Sequence, residues 1–152
     1  MEVFGLPLHV LTVHAVVVLV PLAAIGGLAI SILRWARLRY GSLVLVGALG
    51  AAASTFVAQE SGEDFMQTFE QPTATMAAHF ALGDKLLIWT ILLFVGIAAV
   101  VLAQRLVDRQ HPRGRLMLLV GSVVTVVCAV IAIVQTVRIG HSGAVAVWGG
   151  MV

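Results

Sequence analysis

The stretch "LHVLTVHAVVVLVPLAAIGGLAISILRWARLR", residues 8–39, decides the fold. It carries no charged side chain until Arg34, and then Arg37 and Arg39 follow at once. About 20 apolar residues in helical form cross the hydrocarbon core of a bilayer. Residues 8–33 therefore read as a transmembrane helix that ends at a basic interface. Three further stretches, 42–58, 82–103 and 116–137, have the same character.

The rest of the composition agrees. Of 152 residues, 61% are hydrophobic and only 11% charged, and the mean hydropathy is +1.08. A soluble domain is about 25% charged, so this chain lacks the polar groups to cover itself in water. A single four-span transmembrane domain over residues 1–152 is expected, with the lipid bilayer as its first partner. The N-terminal run is long, contains Pro21 and is preceded by Glu2 without Lys or Arg, which argues against a cleaved signal peptide.

Seven of the eight arginines lie in two connectors, Arg34, Arg37 and Arg39 in one, Arg105, Arg109, Arg113 and Arg115 in the other. The pI of 9.3 thus marks topology and does not point to nucleic acid. The middle connector, 59–80, holds Glu60, Glu63, Asp64 and Glu70 and no basic residue. The positive-inside rule then puts the arginine connectors in the cytoplasm and both termini and the acidic loop outside. Small residues at Gly47, Gly50, Ala51 and Ser54, and at Gly121, Thr125 and Cys128, form seams that let helices approach closely in lipid. An antiparallel all-α four-helix bundle is the expected fold. Cys128, the single cysteine, sits inside an apolar run and offers neither a disulfide nor a thiolate site.

Five histidines remain. His111 lies among the cytoplasmic arginines and reads as a solvated loop residue. The other four lie near the outer ends of three spans. His141 is 26 residues from Arg115, His79 is 26 from Arg105, and His9 is 25 from Arg34. Continuous helices rising about 1.5 Å per residue would bring these three to one level, about 38 Å above the inner arginines. His14 falls about 7 Å deeper than His9 and about 140° round the helix. Histidine is costly in a membrane, so a layer of three suggests ligation. The plain alternative is that each imidazole caps a helix or bonds locally at the wet interface.

Three chemistries suit such a layer. Haem b, the preferred cofactor, would take two imidazoles as axial ligands from the pool His9, His79 and His141, with His14 as an alternative ligand or a residue that orients one. Its edge would approach the backbone at Gly140 and Gly143, and Lys85 and Arg138 would meet its propionates. Copper or zinc would take His9, His79 and His141, with Glu60 and Glu63 as alternative ligands and Met66, Met76 and Met151 as remoter ones. Proton or substrate handling without a cofactor would use histidine and Asp84, but no charged residue lies near the midplane, which disfavours a transporter or channel. The closing "GHSGAVAVWGGMV" is too short to cross again and suits a segment in the outer interface. The function expected is electron transfer in the membrane through a cofactor at the outer rim. The competing class is a cofactor-free structural or assembly subunit, with the acidic loop as docking site for a redox protein or membrane complex. No nucleophile beside a base, phosphate-cradling loop or buried carboxylate pair points to an enzyme.

"GLPLHVLTVH", "AAHFALGD" and "GHSGAVAVWG", in order and over nearly the whole chain, resemble the bacterial predicted membrane proteins catalogued as domain of unknown function 2231. The resemblance implies a four-span bacterial inner-membrane protein with His9, His14, His79 and His141 at the motif histidines. Relatives associated with Rieske iron–sulfur or cytochrome c modules tilt it toward redox work. The chain departs from the usual "VHFP" step with Val13–His14–Ala15–Val16, which lacks the proline.

Overall fold

A computed structural model describes the backbone of residues 2–3, 6–67, 69–71 and 73–148, with the side chains of 8–67, 69–71 and 73–145. Four helices fill it: α1 (Leu8–Ile32), α2 (Arg34–Met66), α3 (Ala74–Asp108) and α4 (Gly114–Trp148). Ahead of α1, β1 (Glu2–Val3) and β2 (Leu6–Pro7) pair antiparallel. All four helices are long and apolar enough to cross a membrane. Each shows lipid-type residues outward as well as inward. Val18, Leu22, Leu43, Ile88, Leu119 and Val137 are all more than half exposed, as expected where the surrounding solvent is hydrocarbon.

The helices overrun the expected spans. Leu33, in an extended conformation, alone separates α1 from α2, so Arg34, Arg37 and Arg39 belong to the first turns of a helix. The acidic connector is mostly helix too, because α2 continues through "QESGEDFM" to Met66. Thr73 starts α3 by accepting the Met76 amide on its hydroxyl. The end of α4 is a third correction. Residues 138–148 continue the helix through Gly140 and Gly143 instead of turning into the interface. Arg, Glu and Gln are good helix formers, which carries α2 through both of its charged ends, and at the end of α4 a helix leaving lipid has no reason to stop at the interface.

In the ring of helices, α1 packs on α2 and α4, and α3 packs on the same two. On α2 the buried stripe is Gly41, Ala48, Ala51, Thr55, Ala58 and Gly62. This is one helical step away from the expected seam, and Gly47 and Gly50 meet nothing within 4 Å. The α4 seam is as expected: Thr125 and Cys128 are buried, and a Cβ at Gly121 would lie 3.2 Å from Ala99 Cβ and Val100 N. Buried Thr55, Thr125 and Thr136 return their hydroxyl protons to carbonyls four residues back, leaving an apolar interior. His111 serves its own turn, accepting the Arg113 amide beside Gln110 at φ 56°.

Candidate functional site

At the end of the bundle away from the seven connector arginines, two histidines on diagonal helices border one cavity of about 60 Å³. His9 stands in the first turn of α1 and His79 in the second turn of α3. Both are half-buried. Phe80 lies against both rings, with centroids 5.7 Å from His9 and 5.9 Å from His79. Phe65 packs on His9 as well, at 6.1 Å.

The hydrogen bonds fix the tautomer of each ring. His9 Nδ1 is 2.9 Å from the Ala58 carbonyl oxygen. A carbonyl only accepts, so Nδ1 carries the proton and Nε2 keeps its lone pair. His79 Nδ1 is 2.9 Å from Ser142 Oγ, and that hydroxyl donates its single proton to the Ile139 carbonyl, also at 2.9 Å. The serine oxygen therefore accepts from His79, and Nε2 is again the lone-pair nitrogen. An imidazole oriented through Nδ1–H by a protein oxygen is the usual state of a metal-ligating histidine.

Two glycines seat the rings. A Cβ at Gly62 would lie 3.1 Å from His9 Cε1 and Nδ1, and one at Gly143 would lie 3.1 Å from His79 Cε1. Gln59 also borders the cavity, and its side-chain oxygen is buried with no hydrogen-bond partner. Thr55, Thr136 and Asp84 complete the polar lining, the two threonine hydroxyls already committed to backbone.

The expected residues divide sharply. His9 and His79 come together. His14 is exposed and donates through Nδ1 to the Val10 carbonyl at 2.6 Å; His141 is exposed, and neither borders the cavity. The three histidines share the height that continuous helices imply, but His141 is turned outward by one helical step while Ser142 is turned in. Among the described residues no group of three or more His, Cys, Asp or Glu is placed to hold a metal ion, so the His9, His79 and His141 set is not assembled. Lys85, Arg138, Glu60 and Glu63 are exposed. The space at Gly143, expected to admit a haem edge, is taken by the His79 ring, and Gly140 meets nothing within 4 Å among the described residues. Asp84 is exposed but borders the cavity. Met66 and Met76 are outside the cavity lining, and Met151 lies outside the described residues. Sequence reasoning missed Gln59, Gly62, Phe80 and Ser142. Phe80 and Ser142 each adjoin a chosen histidine, so the motif pointed at the right place and the wrong azimuth.

No curated protein and no solved structure matches the chain. The description "predicted membrane protein (DUF2231)" belongs to a family model that matches residues 5–152. With its four apolar helices and that match over nearly its full length, the chain belongs to the DUF2231 family of predicted membrane proteins.

Proposed function

We propose that this membrane protein binds a single copper ion between His9 and His79 and uses it for one-electron transfer at the outer face of a bacterial inner membrane. The observation that carries the reading is the pair of Nδ1 contacts: both imidazoles place Nδ1 on a protein oxygen, which leaves Nε2 as the nitrogen that would ligate a metal. The unpartnered Gln59 oxygen beside them offers a third, weaker donor. The cavity of about 60 Å³ beside the two rings has room for an ion. Imidazole serves copper and zinc alike. Zinc favours at least three strong protein ligands, while copper(I) accepts two. The exposed acids Glu60, Glu63, Asp64 and Glu70 near the same end would steer a basic redox partner toward the site.

Haem b is the second reading, and it rests on the same two imidazoles, which come from different helices as an axial pair must. It requires Phe80 to leave its place against both rings and the helices to part. Lys85 and Arg138, exposed near the rim, would then meet the propionates.

The test is metal analysis of protein purified without chelator from copper-supplied cells, with absorption spectra before and after dithionite. The proposal expects one copper per chain and a cupric signal that reduction removes. A Soret band with split visible bands would replace it with haem b. Stoichiometric zinc, or no metal and no chromophore, would refute both.

A further inference from the structure

The arginine end of the bundle holds a second and larger cavity, of about 380 Å³. Arg34 and Arg37 of α2, Arg115 of α4 and the hydroxyl residues Ser31 and Ser122 border it, and among the described residues no acidic one does. Arg37 is already engaged: its Nε donates to Gln104 Oε1 at 2.8 Å, and one terminal nitrogen donates to the Ile30 and Ser31 carbonyls at 2.7 and 3.1 Å. The acid at this end, Asp108, accepts from Gln104 Nε2 at 2.8 Å. Ser31 Oγ is buried with no hydrogen-bond partner. Arg34 and Arg115, which share this cavity with the hydrogen-bonded Arg37 and an unused hydroxyl, call for an anion of several oxygens, and phosphate matches the guanidinium fork.

A neighbouring groove tells which phosphate. It has a volume of about 220 Å³, shares Ser31 and Ser122 with the arginine cavity, and is otherwise lined by Ile32, Val123, Val126 and Val127. One wall is thus cationic and the adjoining one aliphatic, joined at two serines. Exposed Trp35 and Tyr40 on α2 mark this level as a membrane–water interface. We propose that an anionic phospholipid binds here, its phosphate among Arg34, Arg37 and Arg115 and an acyl chain along the groove between α1 and α4.

The experiment is native mass spectrometry of the full chain released from bilayers of equal phosphatidylcholine and phosphatidylglycerol. Wild-type protein is expected to retain one phosphatidylglycerol and little phosphatidylcholine. The double variant Arg34→Ala/Arg115→Ala should retain it about thirtyfold less, at about a tenfold loss per 1.4 kcal/mol and about 1 kcal/mol per arginine. Arg37 is left alone because it holds the end of α1. Val126→Trp, which fills the groove and keeps every charge, should also weaken retention. Equal retention of both lipids by the wild type overturns the proposal without reference to any variant's folding. Displacement of the lipid by inorganic phosphate, with Val126→Trp unchanged, would make a free anion the ligand and overturn it too.

Discussion

A Cβ added at Gly62 would meet the His9 ring at 3.1 Å and Phe80 at 2.9 Å, both closer than side chains pack. Alanine there gains helix propensity of about 1 kcal/mol, so Gly62→Ala is expected to displace the imidazole while the bundle stays folded. Copper affinity should fall more than tenfold with little change in melting temperature, measured by competition titration and circular dichroism. Ser142→Ala removes the oxygen that orients His79 and should cost about 10- to 100-fold in affinity, the usual effect of losing such a partner. Binding should weaken as pH falls, because protonation at Nε2 removes the lone pair that the metal needs. Titrations at stepwise lower pH check the sign, and affinity that rises toward acid would exclude imidazole ligation. At this scale the sequence named both histidines but not their partners. A helical residue turns about 100° from its neighbour, and only packing decides whether position 141 or 142 faces the cavity.

Between elements, Gly96 of α3 lies close against Thr125 of α4. A Cβ at Gly96 would lie 2.8 Å from Thr125 Oγ1 and 3.2 Å from the Thr125 amide nitrogen, which cannot move without the helix. Gly96→Ala should therefore destabilise the bundle by about 1–3 kcal/mol, as overpacking does, read as a lowered detergent or denaturant midpoint. Gly50→Ala, facing nothing within 4 Å, should not lower the midpoint and should raise it slightly through helix propensity. The existence and number of these helices were legible in hydropathy alone. Their ends were not, since the arginines and acids that end an apolar run also continue a helix. The α4 seam was read correctly, and the α2 seam was one step off because glycine and alanine occur on both of its faces.

For the whole molecule, α3 runs unbroken across 79–105 and α4 across 115–141. The counting from arginines to histidines follows one helix in each, whereas the count from His9 to Arg34 crosses the break at Leu33 into α2. The expected orientation has its own check. With Cys128 replaced by Ala, single cysteines at Gln71 and Gln110 should label from opposite sides of intact cells and inverted vesicles, Gln71 from outside. The molecule then presents two unlike ends, a narrow histidine cavity at one and an arginine cavity at the other, joined by an apolar interior. The central claim is that His9 and His79, out of four rim histidines, hold the copper. Its most direct test is copper binding by the four single variants, each shown to be folded. His9→Ala and His79→Ala should lose the ion, and His14→Ala and His141→Ala should bind it as tightly as the wild type. Copper retained by His79→Ala, or lost from His141→Ala, would contradict the account.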